Sequence, residues 1–293
     1  MTRWTAFAAI TGVVLLLLLG LARLSSTRFS PSEPPARVDG DADRGPEDAA
    51  LASATATTPH GSVSPTADRR LSAPERSPVA AAEAEAELSA GALLANVALS
   101  QGTFGAVLVA AAVWAGIPAG ALGLDPVATL PDLGVGVALG GGLWVANEVG
   151  GRAARRVGVE TNEALRGALA PDSTWGWVVL LGGVLPTVAL FEEFLFRAVL
   201  VGALSAGFDA PAWLPASVVG VAAWPWLLAA ASSVAFALGH GAQGRAGIAA
   251  TGLLGFVLAA AFVSTGSLLA VVVAHYLVNA ATLVVHEGPI AGD

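Results

Sequence analysis

Long apolar runs without charge alternate with short polar breaks along most of the chain. Residues 4–22, WTAFAAITGVVLLLLLGLA, carry no charge. At 1.5 Å per residue such a run matches the roughly 30 Å of a bilayer's hydrocarbon core, so it predicts a spanning helix, with Arg3 before it and Arg23 and Arg28 after. The pattern resumes near residue 89. Helices are predicted over 89–117, ended by Pro118, and over 133–150, 175–205, 218–241, 246–264 and 267–286. The 133–150 stretch holds Gly134, Gly136, Gly140, Gly141 and Gly142, which let helices approach closely in lipid. Pro225 is placed to shorten or kink the 218–241 helix, and the preferred register starts that helix after Pro225 and the 175–205 helix after Gly182–Gly183, with Pro186 in its first turn. The expected fold is all-α: a polytopic transmembrane helical bundle of about seven spans, including a separate N-terminal helix.

Residues 25–88 break the pattern. They hold 11 acids, 6 arginines and 8 of the 17 prolines, with few large apolar side chains to build a core. The expected organisation is therefore an N-terminal anchor or signal segment (1–24), a disordered acidic Pro/Ala/Ser-rich linker (25–88) and a membrane-embedded helical domain (89–293). An anchor is favoured over a signal peptide, because the apolar run is long and no clean A-x-A site follows it.

Composition agrees. Of 293 residues 55% are hydrophobic and 12% charged, with a mean hydropathy of +0.71, against about 25% charged in a soluble domain. Cysteine is absent, which excludes disulfides, thiolate metal ligands and a cysteine nucleophile. All 14 basic residues are arginine and the net charge is −8; no clustered basic face exists for nucleic acid. The partners expected are the bilayer and a membrane-associated protein or peptide. Arginines at 152–166 and Arg245 would mark the inner side, and the arginine-free loops 118–132 and 207–217 the outer side; Arg3 fits this less well.

Ionisable groups are costly at mid-bilayer, about 2.5–3.5 kcal/mol on insertion scales, so the few present need a reason. Glu192, Glu193 and Arg197 lie in FEEFLFRAVL. Glu193 and Arg197 are four apart with the acid first, the favourable order for a helical ion pair. Glu192 sits about 100° round the helix and lacks a local partner. Phe236 and His240 are four apart in FALGH, as are His275 and Asn279 in HYLVN. A carboxylate, two imidazoles and an amide on three helices form the equipment of a buried hydrolytic site. Glu192 can take a proton from water; an imidazole and an amide can donate to an oxyanion.

These motifs, E-E-x-x-x-R, F-x-x-x-H and H-x-x-x-N in order on successive apolar segments, resemble the CPBP intramembrane proteases, the group that includes type II CAAX prenyl endopeptidases and the Abi proteins. The resemblance covers about residues 173–286. It implies an intramembrane endopeptidase of the cell membrane whose substrate is membrane-associated or lipidated, with prenylation open. It assigns Glu192 as the base, His240 to the water, His275 and Asn279 to the oxyanion, Glu193 and Arg197 to first-order support, and Phe236 to packing beneath the site. The family is often described as metalloproteases, and Glu192, His240 and His275 could supply a zinc set of two imidazoles and a carboxylate; a metal-free, glutamate-driven reaction is equally compatible. Two readings from other classes compete: an ion-coupled transporter with Glu192 in a relay, and a non-catalytic membrane scaffold.

Overall fold

The computed structural model describes residues 1–28, 78–124, 129–158, 166–167, 169–218 and 220–288. Seven helices account for nearly all of it: α1 (Trp4–Arg28), α2 (Pro78–Ala115), α3 (Thr129–Arg156), α4 (Thr174–Gly207), α5 (Ala223–Gly239), α6 (Gly244–Thr265) and α7 (Leu268–Glu287). Six are long and apolar enough to cross a membrane; α5 is shorter. The all-α transmembrane bundle expected from the sequence is the fold observed. Met1–Phe29 with Ala84–Asp293 forms one unit and Ser30–Glu83 another; everything below concerns the first. Helix takes in both ends of the expected 25–88 linker, since α1 runs through Arg28 and α2 begins at Pro78. Residues 29–77 of that linker lie outside the described residues.

Several boundaries move for physical reasons. Helix α3 continues to Arg156, so Arg152, Arg155 and Arg156, expected in a loop, are helical, and Arg155 and Arg156 fall in its last turn, where cations suit the helix dipole. Helix α4 starts at Thr174, not after Gly183, so Pro186 lies inside it; it is one rod with two wide-wound stretches, Leu180–Val184 and Phe194–Ala203. The first ends just before Pro186. Proline has no N–H to give to the preceding turn, and a wide turn is one way a helix absorbs that loss. The expected 218–241 helix is cut from its N-terminal side. Ser217–Val218 pairs antiparallel with Val221–Ala222, and α5 starts only at Ala223. Pro225 then falls in the first turn, where no N–H is missed.

The tightest helix pair is α3 on α7. Gly136 and Gly140 allow it: a Cβ on either would lie 2.7 Å from the Ala270 carbonyl oxygen or 2.9 Å from that of Ala274. Gly123 (φ +69°) closes the turn before α3, and its carbonyl accepts from Leu268 N–H at 3.0 Å. Helix α1 joins the same core. Phe7, Thr11 and Val14, spaced for one face, are buried, Trp4 covers Gly207, and Arg3 N–H donates to the Ala115 carbonyl at 2.9 Å. Outward positions of the bundle such as Val135, Val145 and Val149 stay exposed, as expected of surface meeting acyl chains.

Candidate active site

Helix length brings the chemistry together. From Glu192 to the end of α4 is 15 residues, and from the start of α5 to His240 is 17. At 1.5 Å per residue these are about 22 and about 26 Å. Helices α4 and α5 are consecutive and packed side by side, so the short α5 ends level with the middle of α4. His240 is the residue that ends it, with φ −102° and ψ 26°.

Glu193 and Arg197 are both fully buried, the largest charged side chains that are. Arg197 Nη1 donates to Glu193 Oε1 at 2.8 Å, and Nη2 donates to the Gly255 carbonyl of α6 at 2.9 Å. The guanidinium lies over the Phe236 ring, 4.7 Å from its centroid. Gly255 is required there: a Cβ would stand 2.9 Å from Phe236 Cδ1 and 3.3 Å from Arg197 Nη2. The pair is thus a clamp on three helices, since Glu193 Oε1 also accepts from His275 Nδ1 of α7 at 2.6 Å.

That contact sets the ring. With Nδ1–H given to Glu193, His275 turns Nε2 toward Glu192 Oε2, 3.7 Å away. His240 is oriented in the same sense: its Nδ1–H donates to the Phe236 carbonyl at 2.8 Å, and Nε2 faces the same Glu192 oxygen at 4.0 Å. Phe236 packs against both imidazoles, its centroid 4.6 Å from that of His240 and 5.9 Å, edge-on, from that of His275. Phe196 meets Phe236 edge-on at 5.0 Å. Ser232, one turn before Phe236, ties α5 to the Phe196 carbonyl at 2.5 Å. Glu192 itself is 7% exposed.

Six residues named from sequence therefore converge: Glu192, Glu193, Arg197, Phe236, His240 and His275. Asn279 stands one turn beyond His275 on α7, half-buried, and its amide has no hydrogen bond among the described residues. Two contributors escaped the sequence reading. Gln101 of α2 donates Nε2–H to Glu192 Oε1 at 3.2 Å; the available signal was an amide inside the charge-free 89–124 stretch. Gly255 was the other, and one glycine among 35 carries no mark of its own.

Glu148 of α3 and His286 near the end of α7 form a second polar pair. Glu148 Oε1 and His286 Nε2 are 2.6 Å apart, and Arg152 Nη2 donates to Glu148 Oε2 at 3.3 Å. His286 lies 11 residues beyond His275, about 16 Å along α7, so this pair joins α3 to the far end of α7 and stands apart from Glu192.

Each imidazole Nε2 faces the same Glu192 oxygen at a separation too long for a direct hydrogen bond and suited to a bridging water. Among the described residues no three His, Asp or Glu side chains form a group that could hold a metal ion.

Residues 174–281 match the family model of Rce1-like type II CAAX prenyl endopeptidases, the group that the three motifs resemble. The matched segment runs from the start of α4 to two residues past Asn279 and contains every motif residue. No curated protein and no solved structure matches the chain. A bundle of membrane-length apolar helices carrying this segment is an integral membrane protein.

Proposed function

We propose that the chain is an intramembrane endopeptidase of the cell membrane that hydrolyses a peptide bond in a membrane-associated or lipidated protein or peptide, using water activated by Glu192. The observation that carries this reading is the convergence of His240 Nε2 and His275 Nε2 on Glu192 Oε2, at 4.0 and 3.7 Å. With each Nδ1–H already given away, both neutral rings present a lone pair there. Three acceptors around one small space favour a molecule with two hydrogens to give. Water fits: one hydrogen goes to Glu192, the other to an imidazole, and the oxygen lone pair is left for the scissile carbonyl.

Glu192 takes the proton as the water attacks and returns it to the leaving amine, the general-base then general-acid cycle. His240 orients the water. The Asn279 amide, free of other hydrogen bonds among the described residues, donates to the oxyanion. His275 joins it only in its doubly protonated form, with the added charge set against Glu193. Glu193 and Arg197 hold ring and helix in register. No step in this scheme passes through a metal.

The test uses purified protein in detergent with a panel of peptides: a farnesylated C-terminal CAAX peptide, its unprenylated form and a set of single-span peptides. Cleavage by wild type, its loss in Glu192→Ala, a fall of roughly 100-fold or more in His240→Ala and indifference to a zinc chelator are expected. Equal cleavage by wild type and Glu192→Ala would remove Glu192 as the base. Loss of cleavage with chelator, restored by zinc, would overturn the metal-free scheme and leave the protease reading standing.

A further inference from the structure

We infer that Gln101, on a helix outside the matched segment, is a positioning residue for Glu192 and holds a hydrogen-bond acceptor in reserve for the backbone N–H of the substrate. The inference rests on the endopeptidase reading and adds to it a residue, a helix and a substrate contact.

Three observations carry it. First, Gln101 Nε2 donates to Glu192 Oε1 at 3.2 Å, while the two imidazoles face Oε2. The amide thereby separates the roles of the two carboxylate oxygens. One is held from the α2 side and the other is left to meet water. A carboxylate anchored at one oxygen only by its own χ angles would be free to rotate and exchange the two. Second, the other end of the amide is unsatisfied: Gln101 Oε1 is buried and has no partner among the described residues. A buried acceptor left unpaired is costly, and native structures keep few of them without a use. An acceptor calls for a donor, and a peptide substrate brings backbone N–H groups, which an extended peptide beside its scissile bond presents to such an acceptor. Third, α2 passes beside α4 at the level of the base. Gly105 faces Phe191, the neighbour of Glu192, with a Cβ position 3.4 Å from Phe191 Cδ2 and 3.9 Å from its Cβ, and Gly102 faces Thr187 Cγ2 at 3.9 Å. Gly102 and Gly105, both just after Gln101, thus lie within side-chain contact distance of α4 at the level of the base.

Two variants separate the two ends of the amide. Gln101→Met keeps the length and removes donor and acceptor. Gln101→Glu keeps an acceptor and removes the donor. Both are expected to lose kcat by tenfold or more on the peptide that wild type cleaves. KM is expected to rise severalfold in Gln101→Met and to stay within twofold of wild type in Gln101→Glu, which still offers an oxygen to the substrate. Gln101→Met with kcat within twofold of wild type and an unchanged melting temperature would overturn the inference. So would a loss of kcat with equal KM changes in both variants, which leaves the acceptor no role.

The melting temperatures of Gln101→Met, Glu192→Gln and the double variant complete the test independently of turnover. Coupling between the two sites is expected, so that the double variant loses less than the sum of the singles. Additive losses would overturn the inference even if no peptide is cleaved, whereas coupling with no cleavage by wild type would count against the endopeptidase reading and leave the Gln101–Glu192 contact in place.

Discussion

Arg197→Met tests whether the clamp beneath the site is an ordinary helical ion pair or a buried one. Exposed Glu–Arg pairs four apart contribute only about 0.2–0.5 kcal/mol. Here both side chains are wholly buried, and methionine would leave Glu193 with His275 as its one remaining partner. Removing one member of a buried pair costs about 3–5 kcal/mol, because the other charge stays behind without compensation. The hydrogen bond from Nη2 to the Gly255 carbonyl, worth about 0.5–1.5 kcal/mol, and the stacking of the guanidinium on Phe236, worth up to about 2 kcal/mol when desolvated, are lost in the same change and are contained within that range rather than added to it. The expected loss is therefore about 3–5 kcal/mol, a fifth or more of the stability of a typical domain. The assay is reversible unfolding in mixed micelles, titrated with SDS and followed by tryptophan fluorescence. The double variant Arg197→Met/Glu193→Gln removes the orphaned charge while leaving an oxygen for His275 Nδ1–H, and it should recover at least half of the loss. A single-variant cost under about 1 kcal/mol, or a double variant no better than the single, would refute the reasoning.

Three further outcomes follow from the same geometry. Gly255→Ala places a Cβ 2.9 Å from Phe236 Cδ1; overpacking of this kind costs about 1–3 kcal/mol, and because Phe236 supports both imidazoles, kcat should fall more than KM rises in a peptide-cleavage assay. Phe7→Ala empties a fully buried position of α1; the loss should stay below the ~3–5 kcal/mol of a soluble core, since acyl chains solvate the helix when it is undocked, and a thermal melt in detergent that does not change would show that α1 does not pack as described. Glu148→Leu breaks the bond to His286 at 2.6 Å and should lower the melting temperature while leaving kcat within twofold, because the pair lies about 16 Å along α7 from His275.

What could be read in advance was whatever depends on spacing within one helix. Glu193 and Arg197 are four apart, and an i, i+4 rule places them together before any fold is known. The same rule groups Phe236 with His240, whose ring the Phe236 carbonyl then orients. Contacts between helices have no such rule. Gln101 reaches Glu192 across 91 positions, and in a stretch without charges an amide looks like any polar residue tolerated in a span. The depth of His240 was the harder question, because a helix over 218–241 would carry it a full span away from α4's midpoint. The ribbon Ser217–Val218 with Val221–Ala222 uses the first residues of that apolar run as extended chain, which hydrophobic periodicity cannot separate from helix over so few positions. The remaining 17 residues of α5 then return only as far as the level of Glu192. The two-strand turn is thus what sets base and imidazole at one depth. Lengthening α5 by one turn ahead of Ser232 would move His240 about 5 Å past Glu192, and cleavage should be lost while the bundle still folds.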